Sequence, residues 1–143
     1  MDPSMKSAAS GSGSFSRQPV CDIAATLRIH LWLECTNGIL FGIGRAQLLE
    51  KIERHGSLKQ AAADLGMSYR AAWGKMHATE KALGEKIIQR SGHRRDGHEL
   101  TDFGRQLMDG FNQWFDEVER YALQSAAQFF PWSLKRFPNS RHQ

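Results

Sequence analysis

The chain has 143 residues, a length that suits one domain, and its 41% hydrophobic content can supply a packed core. Its formal charge is +4 and its pI is near 9.3, a balance that suits a polyanionic partner. No apolar run approaches the ~20 residues of a membrane span, and the N-terminus lacks the apolar stretch of a secretory leader. The only two cysteines, Cys21 and Cys35, form no CxxC pair. They exclude a zinc finger and a disulfide framework, and fit free thiols in a reducing cytoplasm.

Residues 1–20 are rich in Ser and Gly and read as a flexible tail. From Leu27 to Glu34, Leu27, Ile29, Leu31 and Leu33 alternate with polar or aromatic neighbours, which predicts a strand with one buried face. Asn37-Gly38 supplies a tight turn, and Ile39–Phe41 the return strand. A first helix is predicted over Arg45–His55, stopped by Gly56. Ser57 can cap a second helix, Leu58–Leu65, whose run of Ala61, Ala62 and Ala63 permits close packing. Gly66 suits a sharp turn, and Ser68 caps a third helix reaching Leu83, with Gly84 as its stop. Two short helices joined by a glycine-containing turn are the signature of a helix-turn-helix.

At about 100° per residue, Ala72, Met76, Thr79 and Leu83 fall on the inner face of the third helix. Arg70, Gly74, His77 and Lys81 fall opposite, with Tyr69 and Trp73 on one shoulder and Lys75 on the other. Between Gly66 and His98, seven basic residues outnumber three acidic ones, so this segment carries a charge equal to the whole chain's excess. Lys86–Arg90 and His98–Leu100 read as strands around an exposed loop holding His93, Arg94 and Arg95. That hairpin makes a wing. Thr101 caps a long last helix, read as 102–129. Its Leu107, Phe111, Trp114, Val118 and Tyr121 repeat at four- and three-residue steps, a heptad seam for pairing two subunits. Met108, Phe115 and Ala122 widen the stripe, and Asp109, Asp116, Glu117 and Glu119 make the helix acidic. The fold class is therefore mainly α with small β hairpins. It is a winged helix-turn-helix over 21–129, with an N-terminal β-hairpin and a C-terminal dimerisation helix, followed by a tail over 130–143.

The chemistry that follows is recognition of double-stranded DNA. Arg70 lies in the first turn of the third helix, where base edges are read. Ser68 and the free N–H groups of that turn suit phosphate, and Ser57 and His77 are further DNA-binding candidates. Lys75 and Lys81 suit the backbone, Arg90 is a further DNA-binding candidate, and His93, Arg94 and Arg95 suit a groove entered by the wing. Tyr69 and Trp73 either pack on the domain or touch DNA. Gly74 serves close approach either to DNA or to another helix. His93 and His98 lack further converging ligands for a metal, and no Ser/His/Asp set, P-loop or dinucleotide motif appears. No cofactor and no membrane contact are expected. A protein-interaction module that kept this fold without DNA binding is the alternative.

The run GIGRAQLLEKIERHGSLKQAAADLGMSYRAAWGKMHATEKALGEKIIQR, followed by HELTDFGRQLM, resembles the N-terminal DNA-binding domain of the molybdate-responsive transcriptional regulators. A broader resemblance to LysR-type DNA-binding domains covers the same stretch. The resemblance implies a winged helix-turn-helix paired through its long terminal helix, with Ser68, Tyr69, Arg70 and Trp73 in the recognition segment. Such regulators carry an oxyanion-binding domain after that helix, for which the 14 residues beyond Phe129 leave no room. The expectation is a homodimer on an inverted repeat without that sensing domain. The aromatic, basic stretch Phe129–Phe137 either packs back on the dimer or docks a partner protein.

Overall fold

A computed structural model describes residues 23–138; the tail read at 1–20, with Cys21, lies outside them. The chain divides into two units, one of His30–Phe115 and one in which the segment ending at Ile29 joins that beginning at Asp116.

The first unit opens with a hairpin of β2 (Trp32–Cys35) and β3 (Gly38–Gly42), following β1 (Ala25–Leu27) of the other unit. The pairing steps from Leu33↔Phe41 to Glu34↔Ile39 and so skips Leu40. This bulge frees the Leu40 carbonyl, which accepts from Thr79 Oγ1 at 2.7 Å. The helices α1 (Ile43–His55), α2 (Leu58–Asp64) and α3 (Tyr69–Leu83) follow. Ser57 Oγ accepts from the Gln60 N–H at 3.1 Å and Ser68 Oγ from the Ala71 N–H at 3.0 Å, so both serines cap their helices as expected. Between α2 and α3 the backbone turns through Gly66 at φ +70°, a conformation that a side chain makes costly. Leu48, Leu49, Ile52, Leu58, Ala61, Ala62, Ala72 and Met76 fill the space between the three helices. Of the three small side chains predicted to pack, Ala61 and Ala62 do so, whereas Ala63 is exposed.

Then come β4 (Ile88–Arg90), β5 (His98–Leu100) and α4 (Asp102–Ala126). The strands pair antiparallel with Ile88↔Leu100 and Arg90↔His98. Thr101 Oγ1 accepts from the Gly104 N–H at 3.0 Å and donates to the Lys86 carbonyl at 2.7 Å, fixing α4 to the strand pair. Arg105 grips Glu53 of α1 with two bonds of 3.0 and 2.9 Å. That hydrogen-bonded guanidinium holds the Glu53 carboxyl below the usual carboxylate range, against the opposing effect of burial.

In the second unit, β1 pairs in parallel with β6 (Leu134–Arg136) in the register Ala25↔Leu134 to Leu27↔Arg136. The Arg28 guanidinium sits 3.8 Å from the Phe137 ring centroid. Arg136 Nε lies 2.9 Å from the buried Glu119 carboxylate.

Several boundaries differ from the sequence reading. The alternating run Leu27–Glu34 is not one strand. Leu27 ends β1, residues 28–31 lie in no strand, and Trp32–Glu34 belong to β2, every residue of which is exposed. Alternation carried the period of a strand but not its partner. The first helix begins two residues early at Ile43, and β4 starts at Ile88 rather than Lys86. The last helix stops at Ala126, not 129, and residues 127–129 form a turn. The segment read as a tail contains β6. No helix of the described residues is long and apolar enough to cross a membrane.

Candidate nucleic-acid interface

The basic face of α3 forms as its phasing predicts. Ala72, Met76 and Thr79 are buried, whereas Arg70, Gly74, Lys75, His77 and Lys81 are exposed. Leu83, expected inside, is 36% exposed because the helix ends there. Tyr69 and Trp73 are 47% and 48% exposed, so neither shoulder residue is absorbed by the domain. Trp73 stacks on His77 with ring centroids 4.5 Å apart and planes 15° from parallel. Around Gly74 the space is open, with nothing within 4 Å of where a Cβ would stand. Packing inside the chain therefore does not demand that glycine.

Glu80 fixes α3 to the wing. It is buried on the edge of the inner face, and its Oε2 accepts from the Ile87 and Ile88 N–H groups at 2.9 and 3.2 Å. Lys86 Nζ lies 3.8 Å and His77 Nδ1 3.9 Å from its other oxygen. The sequence reading counted Glu80 only as one of three acids in a basic segment. Its signal was its place four residues after buried Met76, where a carboxylate needs a buried partner. Arg45 was missed too. Its Nη1 donates to the Ile39 carbonyl at 3.1 Å and its Nε to the Lys75 carbonyl at 3.3 Å, tying the hairpin and α3 to α1.

The wing separates its basic residues. Arg90 on β4, and His93 and Arg95 on the loop, are exposed. Arg94 is exposed as well, but its guanidinium reaches back to the helical body. Its Nη1 donates to the His55 carbonyl at the end of α1, and a Cβ at Gly56 would lie 3.0 Å from the same nitrogen. A guanidinium on the carbonyl end of a helix is also well placed for the helix dipole. Arg94 therefore braces the wing against the end of α1, a contact the sequence reading did not foresee. Ser57 Oγ accepts from the Gln60 N–H and keeps its O–H as a donor. Beside α3, a notch of about 170 Å³ is lined by Trp73, Met76, His77, Ile88, Arg90 and His98 among others. His98 Nδ1 is buried there without a hydrogen bond among the described residues. Burial, and secondly the charge of Arg90 across the ladder, push the His98 imidazole below its ordinary pKa. No group of three or more His, Cys, Asp or Glu among the described residues is placed to hold a metal ion.

On α4 the seam divides. Phe111 is 5% exposed and packs edge-on against Phe41 at 5.4 Å, so it serves the chain's own core and is corrected as an interface residue. Met108 and Phe115, expected only to widen the stripe, are buried as well. Leu107 and Val118 are half-buried, while Trp114 and Tyr121 are 40% and 71% exposed.

Residues 43–105 match the family described as bacterial regulatory helix-turn-helix proteins of the LysR family. The matched segment makes up a little under half of the chain. It coincides with α1 through the first turn of α4 and so contains the whole basic face and wing. Proteins similar to this segment include the molybdenum transport protein ModE of Azotobacter vinelandii. It is 38% identical over 66 residues, covering 45% of this chain and 24% of that protein. The molybdenum-pterin-binding protein MopA of Rhodobacter capsulatus is 33% identical over 72 residues, 49% of this chain and 27% of the relative. The transcriptional regulator ModE of Haemophilus influenzae is 32% identical over 78 residues, 53% and 29% respectively. The chain thus spans 24–29% of these relatives' lengths. The crystal structure of a CbnR_DBD–DNA complex matches with a TM-score of 0.50 at 23% identity, over 61% of this chain and 97% of that one. The shared fold is the winged helix-turn-helix.

Proposed function

We propose that this chain is a DNA-binding transcriptional regulator that acts as a homodimer on an inverted repeat. One observation carries the reading: the outward face of α3 in a LysR-type segment presents Arg70, His77 and Lys81 around Gly74, all exposed. The similar Haemophilus protein is named a transcriptional regulator, and the similar CbnR domain was solved with DNA.

Arg70, in the first turn, donates two bonds to guanine O6 and N7, a contact worth ~1–3 kcal/mol of discrimination. First-turn N–H groups of α3 beyond the one that Ser68 caps are free for a phosphate. Lys75 and Lys81, on long flexible stems, neutralise backbone phosphates and position the helix without reading sequence. Gly74 lets the helix backbone sit close to the base edges. Arg90, His93 and Arg95 extend the contact along the wing, which Arg94 holds in place from behind.

The test is a fluorescence titration against duplexes selected from a randomised pool, repeated across salt concentrations. Affinity falls steeply with salt because neutralised phosphates release counterions. Arg70→Ala flattens the preference between selected and scrambled duplexes, whereas Lys81→Ala weakens both alike and makes the salt dependence shallower. Equal losses on every sequence for both variants would contradict these roles. Failure of the wild-type chain to retain any duplex at low salt would remove the function itself.

A further inference from the structure

Along the flank of α3 that borders the wing runs a stripe the basic face does not explain. Tyr69, Trp73 and His77 follow one another at four-residue steps, and all three are exposed. Leaving about half of a Tyr and half of a Trp in water has a cost that a buried position would remove. Both lie beside Arg70, in the half of the helix that enters the groove. The indole is not loose, since it stacks on the His77 ring. The notch next to it has an apolar floor of Met76 and Ile88. The stripe is thus a fixed, largely apolar rail along the edge of a polar reading face.

In the major groove only one base carries an apolar group, the 5-methyl of thymine, which projects towards the groove wall. We infer that Tyr69 and Trp73 read thymine 5-methyl groups in the base pairs flanking the one contacted by Arg70. The inference rests on the DNA-reading role of α3 proposed above. It adds a chemical identity to the bases beside that contact: A·T pairs are chosen there through the methyl, not through hydrogen bonds. The Trp73 ring buries the methyl against its face, and the His77 stack keeps that face in place.

The test replaces thymine by deoxyuridine, one position at a time, in a duplex selected by the wild-type chain. Pairing is preserved and only the methyl is lost. Affinities are measured for the wild type, Trp73→Ala, Tyr69→Ala and, as a control, Lys81→Ala. At one or two positions the wild type and Lys81→Ala lose about fourfold in affinity, the value of one buried methyl-sized group. Trp73→Ala or Tyr69→Ala loses less than half of that at the same position. Running both aromatic variants leaves one to decide if the other binds too weakly to measure. If deoxyuridine costs the wild type nothing, or costs it and both aromatic variants equally, the inference is overturned while DNA binding stands. If no duplex is bound at all, the underlying reading has failed instead.

Discussion

Gly104 has the Ile87 carbonyl oxygen 2.1 Å from where its Cβ would stand, and that neighbour is backbone that cannot rotate away. The glycine is what lets α4 start against the strand that precedes the wing. Gly104→Ala is expected to lower stability by about 1–3 kcal/mol, as other overpacked sites do. Gly110→Ala on the same helix meets nothing within 4 Å and should raise it by up to ~1 kcal/mol. Urea melts of the two variants check the pair, and a shift of the same sign in both would contradict the packing argument. Gly74 in α3 is a third case. It meets nothing either, so Gly74→Ala should stabilise the helix by ~1 kcal/mol while weakening DNA binding. Of the two uses the sequence left open for Gly74, the open space argues against packing within the chain. Glu80 works the other way, through a partner it supplies. Glu80→Ala leaves two buried N–H groups unsatisfied and should cost about 2–3 kcal/mol, with Glu80→Gln costing less because one acceptor oxygen remains. Equal melts for these two variants would show that water replaces the carboxylate.

The helices were legible because caps and periods are local properties. Ser57, Gly66, Ser68 and Gly84 each mark a boundary that needs no knowledge of the rest of the chain. The strands were less legible, because a strand is defined by its partner. The run from Leu27 to Glu34 shows this: its alternation is intact while its middle, 28–31, pairs with no strand. The wing was found from its glycines and charge, but the division of labour among its arginines was not. Whether Arg94 points outward depends on the carbonyl end of α1, 39 positions earlier in sequence. Arg94→Ala should therefore lower thermal stability and loosen the wing, whereas Arg95→Ala should leave the melt unchanged and reduce affinity for DNA alone. The wing also carries a pH dependence. In the unfolded chain His98 takes up a proton near pH 6.5. In the fold, burial and Arg90 hold its pKa lower. The unfolded state thus binds more protons below about pH 6.5, so stability is full above that value and declines as pH falls through it. His98→Gln should flatten this decline between neutral pH and the lower folded pKa. An unchanged pH profile of the melting temperature would assign the decline to other groups.

For the molecule as a whole, the proposed homodimer needs a surface on which two copies can pair. The heptad spacing on α4 suggested one continuous seam, but periodicity alone cannot tell a face turned to the chain's own core from a face turned to a partner. The structure sorts them by burial. Met108, Phe111 and Phe115 are used internally. Leu107, Trp114 and Tyr121 recur at steps of seven on a different strip of the helix, and the two aromatic members stay open to solvent. A seven-residue repeat of apolar side chains is what a partner helix can meet along its length. Such a pairing is two-fold, so each exposed ring meets the equivalent surface of the second copy. It would also set the two α3 helices for successive major grooves, about 34–36 Å apart. Sedimentation at micromolar concentration should give a dimer for the wild type and a monomer for Tyr121→Lys and Trp114→Lys. Phe111→Lys should unfold the chain rather than dissociate it. On DNA, the Tyr121→Lys monomer should keep most of its affinity for a single half-site but lose at least tenfold on the full repeat, where the second copy no longer arrives tethered to the first. A wild-type monomer at these concentrations would leave the exposed rings without a partner copy, and a dimer unaffected by either lysine would place the interface elsewhere on the chain.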